Sequence, residues 1–595
     1  MKPGSFTGSW GAEIMPGEET RFRLWAPDQQ RLAIRLNGVD KNMSHVGDGW
    51  FELRLSGVTE GAEYSVVLAD GTQLPDPASR AQKSDVNGPS LLCNPWRYPW
   101  KNRQWRGRSW EESVIYELHM GTFTPEGTFH AATQKLAYLA DLGFTVVEVM
   151  PLSQFGGTRG WGYDGVLMYA PHSAYGTPDD FRAFVDTAHG LGISVLLDIV
   201  LNHFGPEGNS LPQLASGFFD KQRMTPWGAG IDYAAKAPRQ FIIEAPLYWL
   251  QAYRLDGLRF DAIDQIEDSA GQHILVEIAE RIRQEITDRP VHLTSEDSRN
   301  ITALHPYDNQ GKPLLFTAEW NDDFHNAAHV LATGETHAYY ADFATAPAKL
   351  FARLLAEGFA FQGEVAPQSG QPRGVKSGAQ PTVAFIDFLQ NHDQTGNRAL
   401  GERLLPLAGA DSVTVLLATL LLSPHIPLLF MGEEYGETNP FLFFTDFHGD
   451  LARAVREGRA REFADHAGHQ DAEVPDPNAM DTFERSKLDW HKLETSDGKR
   501  WLTLVKTLLA LRQQYIVPLL RQPQGNTGRV VDLSGRLIVV AWHLPNGSLS
   551  MAINLDDKSH PRPILPGRTL YSWPPSTEEL PRNAILVRLD SGENQ

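Results

Sequence analysis

Cysteine is almost absent from this chain of 595 residues, which contains Cys93 alone. A single cysteine cannot form an internal disulfide or a thiolate metal cluster. The sequence therefore excludes a disulfide-stabilised fold and suits the reducing environment of the cytoplasm.

Long hydrophobic runs are absent as well. The most apolar stretch begins at Val413, and Pro424, His425 and Pro427 interrupt it after about ten residues, whereas a bilayer span needs about 20. This stretch predicts a buried helix, a proline-containing turn and a buried strand. The N-terminal segment MKPGSFTGSW lacks the apolar core of a secretory signal. We expect a soluble, cytoplasmic protein with no membrane partner.

Positive charge is in deficit, because 53 Lys and Arg stand against 73 Asp and Glu, giving a formal net charge of −20. An acidic chain repels phosphate backbones, so nucleic acid is not an expected partner. Apolar residues make up 42% of the chain and charged residues 21%, which is typical of globular proteins and argues against bulk disorder.

Short β-rich runs separated by turn residues occupy both ends of the chain. Runs such as RFRLWAP, WFELRL and EYSVVLADG predict an N-terminal β-sandwich over residues 1–90. An aperiodic stretch rich in Pro and Trp predicts a linker over residues 91–112. Runs such as RLIVVAWHL and SLSMAINL predict a C-terminal antiparallel β-domain over residues 517–595.

Between these ends, over residues 113–516, apolar runs of strand length alternate with helical patterns. Eight such strands alternating with helices predict an α/β fold with a TIM (β/α)8 barrel. We expect one excursion from the barrel at 204–240 and a helical one at 441–490. The predicted strands are 114–121, 145–151, 194–203, 257–264, 291–297, 314–320, 383–393 and 427–435.

Four of these strands end in polar residues that an apolar core would not tolerate unpaired. The groups are Asp198 with Asn202 and His203, Arg259 with Asp261, Glu296 with Asp297, and Asn391 with His392 and Asp393. Catalytic groups of a (β/α)8 barrel lie where strands end and the following loops begin. The sequence therefore predicts that carboxylates from three strands converge at one face of the barrel.

The motifs DIVLNH, GLRFDAID, the Glu that ends the fifth strand and FLQNHDQ resemble the four signature regions of the α-amylase superfamily, glycoside hydrolase family 13. They occur in the expected order and at the expected strands, so the resemblance covers roughly residues 110–500. It implies a glycoside hydrolase that retains the anomeric configuration, with one carboxylate as nucleophile and one carboxylic acid as proton donor.

The resemblance also implies a role for each matching residue. Asp261 matches the nucleophile, Glu296 the general acid/base, and Asp393 the carboxylate that binds sugar hydroxyls and stabilises the oxocarbenium-like state. Substrate-binding roles fall on Tyr163, which matches the stacking aromatic, on His203 and His392, and on Arg259, which would orient Asp261 and keep it ionised. Asp198 is interpreted as a brace for Arg259.

Further motifs, among them YELHMGTFTPEGTF, EWNDDFHNAAHV and LFFTDFHGDL, resemble one family within this superfamily, the maltooligosyltrehalose trehalohydrolases. Its members have an N-terminal sandwich of the immunoglobulin-like, glucan-binding type, the barrel and a C-terminal β-domain. The resemblance implies hydrolysis of the α-1,4 bond next to the terminal trehalose of maltooligosyltrehalose. Asn202 resembles a calcium ligand of true α-amylases, but its acidic partners are not evident, so we expect no metal and no cofactor.

Two residues are candidates for selecting the trehalose unit. Asp322 would supply a directional polar group, since a site that hydrogen-bonds a hydroxyl discriminates better than an apolar one. Trp227 would be the facing aromatic platform. The alternatives are that Asp322 caps a helix beginning near Phe324, a role that Asp323 would serve equally, and that Trp227 is a buried loop anchor. Trp161 is either a second platform or a packing residue.

Two alternative functions stay open. A glycogen branching enzyme shares the sandwich-plus-barrel plan and uses a sugar hydroxyl instead of water as acceptor, through the same covalent intermediate. A non-catalytic glucan-binding protein would suit the sandwich and the many aromatic residues. Chain-length preference and oligomeric state are not readable from the sequence.

Overall fold

A closed barrel of eight parallel strands forms the centre of the molecule in a computed structural model, which describes residues 8–225, 227–464, 474–575 and 578–591. Neighbouring strands of the barrel follow chain order, and the eighth strand pairs with the first. This confirms the predicted (β/α)8 barrel. Its strands are Ile115–Leu118, Val146–Val149, Ser194–Ile199, Gly257–Phe260, His292–Ser295, Ala318–Trp320, Phe385–Phe388 and Ile426–Phe430.

Helices of very different length connect the barrel strands, and their apolar faces pack against the sheet. The α-helices that follow barrel strands include Leu136–Leu142, Pro178–Gly190, Lys236–Ala252, Ile274–Glu285, Asp322–Thr333, Pro347–Glu357, Ala410–Leu422 and Ser496–Leu511. The other α-helices of the described residues are Met120–Phe123, Phe129–Thr133, Leu211–Leu214, His392–Gly396, Leu404–Ala408, Gly449–Ala464 and Met480–Arg485. In the part of the chain described here, no helix is both long and apolar enough to cross a membrane.

The sixth strand is shorter than the expected 314–320 and covers only Ala318–Trp320. The reason lies in the preceding loop, where the N–H groups of Leu314 and Phe316 donate to the carbonyls of Pro306 and Leu304. Those backbone groups are therefore already paired when the chain enters the barrel, and the strand starts later.

Antiparallel sheets flank the barrel at both ends of the chain, as expected. The N-terminal sheets contain Gly11–Ile14, Glu19–Trp25, Ser44–Gly47 and Trp50–Ser56 on one side and Ala33–Leu36, Val39–Asn42, Glu63–Val67, Gln73–Leu74 and Ser90–Leu91 on the other. The main C-terminal sheet contains Gly528–Ser534, Leu537–Leu544, Gly547–Asn554, Arg568–Trp573 and Ala584–Asp590, and His560–Pro561 pairs with Glu579–Leu580. The exact domain boundaries stay predictions.

Both excursions carry secondary structure. Residues 204–240 include a hairpin of Phe219–Thr225 and Gly228–Ile231, which follows the third barrel strand. Residues 441–490 include the helices Gly449–Ala464 and Met480–Arg485, and residues 465–473 lie outside the described part. The hairpin brings Trp227 next to the carboxyl ends of the strands, where it stacks on His203.

The apolar stretch that begins at Val413 folds as predicted. The helix Ala410–Leu422 and the strand Ile426–Phe430 are almost entirely buried and are joined by a short connection. Both are apolar on all sides because each is covered on all sides by protein.

Candidate active site

Arg259 organises the candidate site at the carboxyl end of the barrel. Its guanidinium is buried and reaches three carboxylates: Nη1 lies 2.7 Å from Asp198 Oδ2 and 2.9 Å from Asp261 Oδ1, and Nη2 lies 2.7 Å from Glu296 Oε2. These carboxylates follow or end the third, fourth and fifth strands. One cation therefore holds together the groups that the sequence placed on three separate strands.

Asp261 is further fixed by its neighbours. Its Oδ2 accepts a hydrogen bond of 3.1 Å from the Asn202 amide. The next residue, Ala262, adopts the left-handed region with φ 40° and ψ 53°, which is uncommon for a residue with a Cβ. In this conformation the Ala262 N–H donates to Glu296 Oε2 at 2.9 Å. The strained turn thus links the two carboxyl groups expected to do the chemistry.

Burial dominates the electrostatics of this pair. It raises the pKa of Asp261 and of Glu296, and the charge of Asp261 raises the pKa of Glu296 further, while Arg259 opposes both shifts. The direction for Glu296 suits a proton donor. Arg259 acts in the expected direction, since its charge lowers the pKa of Asp261 and favours the ionised form, although burial has the larger effect.

Asp393 lies beside the pair on the short helix His392–Gly396 after the seventh strand. Burial raises its pKa and the neighbouring His392 lowers it. His392 Nε2 is 3.5 Å from Asp393 Oδ1 and 2.8 Å from the Tyr163 hydroxyl. Tyr163 stacks on the His392 ring at 5.2 Å and donates to Asp198 Oδ2 at 2.6 Å. The structure therefore brings Asp393, His392 and Tyr163 together with the Arg259 cluster.

His203 is engaged differently from the expectation. Its Nδ1 is bound to the Asn202 side chain, and its Nε2 lies 2.9 Å from the carbonyl oxygen of Tyr163. Both ring nitrogens are thus occupied by protein groups, so a sugar hydroxyl has no free partner on this ring in the conformation seen here. The observed contacts of His203 instead hold the Tyr163 loop and support Trp227.

Trp227 and Trp161 differ sharply in exposure. Trp227 is 42% exposed and lies flat on the His203 ring, with centroids 3.9 Å apart and an angle of 6° between the planes. Trp161 is 5% exposed, stacks on Phe441 and donates its indole N–H to the carbonyl of Leu442 at 2.9 Å. Trp227 is therefore not a buried anchor, whereas Trp161 packs under its loop.

Asp322 is the first residue of the helix Asp322–Thr333, and Asn321 occupies the cap position without a side-chain capping bond. The helix thus begins two residues before the expected start near Phe324, and Asp322 is its first residue instead of its cap. Its Oδ1 accepts from Gln394 Nε2 at 3.2 Å. Burial, together with the charges of Glu296 and Asp393, raises the pKa of Asp322 to about 7. Asp322 therefore lies close enough to Glu296 and Asp393 for their charges to raise its pKa.

Asp323 is fully buried and structural. It accepts from the N–H of Ala360 at 2.8 Å and from Asn300 Nδ2 at 2.7 Å, and it pairs with Arg373 at 2.8 Å. All of these partners lie in other segments, so Asp323 fastens the start of the helix to its surroundings and is not open to a sugar.

Comparison with known proteins assigns the family. The α-amylase catalytic-domain model matches residues 80–227. A malto-oligosyltrehalose trehalohydrolase of Deinococcus radiodurans is 41% identical over 554 residues, which cover 91% of this chain and 90% of that protein. This chain belongs to the malto-oligosyltrehalose trehalohydrolase family.

Two further similarities bear on the alternatives. A crystal structure from Salmonella typhimurium, provisionally named an alpha amylase, is 65% identical, with a TM-score of 0.96 over 98% of this chain and all of that one. A 1,4-alpha-glucan branching enzyme of Rhodospirillum rubrum is 31% identical over only 279 residues, or 41% of this chain and 37% of that enzyme. The likeness to the trehalohydrolase thus extends over the full architecture, and the likeness to the branching enzyme does not.

Three residues of this trehalohydrolase-family site were missed or assigned another role from sequence. Asn202, considered only as a calcium ligand, donates to Asp261, and Gln394 contacts Asp322. Glu117, inside the first strand, binds His392. A Glu within a strand predicted to be buried was an available signal for Glu117. Among the described residues, no group of three or more His, Cys, Asp or Glu side chains is arranged to hold a metal.

Proposed function

We propose that this chain hydrolyses the α-1,4-glucosidic bond next to the terminal trehalose of a maltooligosyltrehalose, with retention, and releases trehalose. The observation that carries the proposal is the Arg259 cluster, in which Asp261 and Glu296 contact the same guanidinium at 2.9 and 2.7 Å. Two carboxyl groups so close together are typical of retaining rather than inverting glycosidases. Membership of the trehalohydrolase family supports the substrate.

The first step uses both carboxyl groups at once. Glu296 donates its proton to the glycosidic oxygen while a carboxylate oxygen of Asp261 attacks the anomeric carbon. The bond to the leaving sugar breaks, trehalose departs with the proton from Glu296, and a glycosyl ester forms on Asp261. The Asn202 and Arg259 contacts hold the carboxylate of Asp261 in one orientation, which lowers the entropic cost of the attack.

The second step reverses the roles. Glu296, now a carboxylate, takes a proton from a water molecule. The oxygen of that water attacks the anomeric carbon, and the ester bond to Asp261 breaks. Both residues return to their starting protonation states. Asp393, on the same face, stabilises the positive charge that develops on the sugar in each transition state.

The substrate-side roles are proposals of the same kind. Tyr163 supplies an aromatic face at the bond to be cleaved, since sugar rings present apolar C–H faces to aromatic rings. Trp227 supplies the exposed platform for the trehalose side, and Asp322 the directional acceptor. His203 acts through Tyr163 and Trp227 rather than through a direct hydrogen bond to sugar. The partner is thus an α-glucan, and we place the enzyme in the cytoplasm.

Product analysis with two substrates tests the function. A maltooligosyltrehalose and a plain maltooligosaccharide of equal length are incubated separately with the protein, and products are separated by chromatography. We expect trehalose and a shortened maltooligosaccharide from the first, and much slower cleavage of the second. Equal cleavage of both would indicate a general amylase, new α-1,6 linkages would indicate a branching enzyme, and no reaction would favour a glucan-binding protein.

A further inference from the structure

Glu117 is a buried carboxyl group whose two oxygens are both directed at one residue of the site. It lies in the first barrel strand and is 1% exposed. Its Oε1 is 2.5 Å from Nδ1 of His392, and its Oε2 accepts the backbone N–H of His392 at 3.2 Å. Glu117 thereby holds both the ring and the backbone of His392, the residue that precedes Asp393.

The hydrogen-bond pattern on the other side of the ring favours a protonated ring. The Tyr163 hydroxyl has one proton, and the geometry gives it to Asp198 Oδ2 at 2.6 Å. The hydroxyl oxygen must then accept from His392 Nε2, which lies 2.8 Å away. Because Nδ1 faces the Glu117 carboxylate, both ring nitrogens donate, and a ring with two N–H groups is an imidazolium.

Burial lowers the pKa of other buried histidines of this chain, and one carboxylate beside the ring does not reverse this, since the pKa of His329 is lowered although Glu335 Oε2 lies 2.8 Å from its Nε2. The rings of His119, His203 and His292 bind backbone carbonyls, a hydroxyl or an amide, and burial lowers the pKa of each to about 4. Burial acts on His392 in the same direction, but the carboxylates of Asp393 and Glu117 outweigh it and raise its pKa to about 9.

We propose that Glu117 is a positioning residue for catalysis, which holds His392 as an imidazolium with its Nε2–H directed at Tyr163 and the Asp393 side. The inference rests on the proposed function, because it concerns the same reaction. The acidic groups around His392 are Glu117, Glu148, Asp198, Glu296 and Asp393. The other titratable or charged groups facing it are Arg259, Tyr163 and His119.

The charge of His392 matters for Asp393. Burial raises the pKa of Asp393, and the imidazolium works against that shift, so His392 favours the ionised form. An ionised Asp393 can stabilise an oxocarbenium-like sugar, whereas a protonated one cannot. Glu117 therefore acts on the reaction through His392, from the barrel interior, without contacting the substrate.

The experiment compares the pH dependence of kcat/KM on maltooligosyltrehalose for the wild type and for Glu117→Gln. Without the carboxylate, the pKa of His392 falls, so the cation is lost at lower pH. We expect the alkaline limb of the profile to move to lower pH by at least about one unit, since a close opposite charge shifts a pKa by about 1–3 units. At neutral pH we expect a loss of at least about tenfold, as for other acids that orient a catalytic histidine.

Glu148→Gln is the matched control. Glu148 pairs in register with Glu117 on the second strand and is 1% exposed. Its two oxygens have no hydrogen-bond partner among the described residues, and burial raises its pKa far above the usual range, so glutamine closely replaces a neutral acid. We expect a profile within about twofold of the wild type. The same shift in both variants would overturn the proposal.

A double-substitution cycle separates positioning from a structural role. If Glu117 acts through His392, Glu117→Gln adds no further loss in a His392→Asn background, whereas an additive loss contradicts the proposal. A uniform loss of rate with an unmoved alkaline limb also contradicts it. If Glu117→Gln does not fold, Glu117→Asp keeps the charge at greater distance and should shift the limb less. A wild type that releases no trehalose would refute the proposed function instead.

Discussion

Arg259 shows how much a single residue can decide in this site. Its guanidinium contacts Asp198, Asp261 and Glu296, and its charge lies 4.2 Å from the centre of the Trp320 ring. A buried cation needs such partners, and so do the carboxylates around it. The consequence is that changes to one carboxylate alter the protonation of the others, which shapes each prediction at this scale.

The first prediction concerns the nucleophile. Asp261→Asn should keep the fold but lose more than about 99% of turnover, because an amide oxygen cannot form the glycosyl ester. Trehalose release measured over time, with circular dichroism to verify folding, checks it. Asp308→Asn, in the loop before the sixth strand at the opposite end of the barrel, is the control and should be fully active. Retention of more than about a hundredth of the wild-type rate by Asp261→Asn would contradict the assignment.

The second prediction concerns pH. Glu296 must be protonated to donate, so activity falls as pH rises through its pKa, which burial and Asp261 raise above the usual value. Asp261 must be ionised, so activity also falls as pH drops through its pKa, which burial raises as well. The profile should be bell-shaped, and Glu296→Gln should lower the rate and remove the part of the alkaline limb that Glu296 sets, leaving only the fall at higher pH where His392 loses its proton. An alkaline limb that stays at the same pH in this variant would exclude Glu296 as the acid.

The third prediction separates two adjacent aspartates. Asp322→Ala should lower kcat/KM for maltooligosyltrehalose more than for a plain maltooligosaccharide. The ratio of the two kcat/KM values should fall by about tenfold, with little change in Tm. Asp323→Ala should lower Tm and reduce both activities alike, because Asp323 fastens residues 360–361 and Arg373. Equal losses on both substrates for Asp322→Ala would remove it from the specificity site.

At the scale of single elements, the candidate site residues lie at strand ends and in the connections that follow them, and the helices behind supply rigidity. The helix Pro178–Gly190 begins with a capping box, in which Thr177 Oγ1 accepts the N–H of Asp180 at 3.2 Å and Asp180 accepts the N–H of Thr177 at 2.8 Å. This reciprocal pair satisfies N–H groups that the first turn leaves open.

The fourth prediction follows from that cap. Thr177→Ala should lower the free energy of unfolding by about 1 kcal/mol and leave kcat unchanged, because the helix lies behind the barrel and away from the site. Denaturant unfolding followed by circular dichroism measures the change. Thr187→Ala, in the same helix with its hydroxyl bound to the carbonyl of Ala183, is the control and should cost less. A larger effect of the control would refute the capping argument.

At the scale of the whole molecule, the terminal sheets share one hydrophobic core with the barrel. Trp10 of the N-terminal region packs edge-on against Phe218 and Phe241, which belong to the barrel part of the chain. On the other side, Trp542 is fully buried and donates its indole N–H to the carbonyl of Leu355 at 2.9 Å. The flanking sheets therefore pack against the barrel and stabilise it.

The fifth prediction tests that coupling. Trp542→Ala should lower stability by about 3–5 kcal/mol, since it leaves a large cavity between the C-terminal sheet and the barrel helix Pro347–Glu357. Thermal unfolding should show loss of the barrel and the sheet together. Val531→Ala, at a 49% exposed position on the edge strand of the same sheet, should change stability by less than about 0.5 kcal/mol. Separate transitions for barrel and sheet would contradict a shared core.

The sequence by itself determined the barrel, its strand order and the flanking β-sheets. Strand and helix periodicity are local, so short apolar runs and the segments between them predict the pattern without tertiary information. The polar residues at the strand ends were the main site candidates, because a carboxylate at the end of a buried strand needs a partner. Asp261, Glu296 and Asp393 were therefore readable, and the sixth strand lost its first residues only to a loop pairing that periodicity does not contain.

Tertiary structure alone decided which side chains meet. Glu117 and His392 are 275 positions apart in the chain, and Asp322 and Gln394 are 72 apart. The contact of His203 Nε2 likewise depends on the Tyr163 loop, 40 positions away, and the stacking of Trp227 on His203 depends on the hairpin that follows the third strand. Hydrogen bonds require distances near 3 Å and defined angles, and only barrel closure fixes such geometry between distant segments.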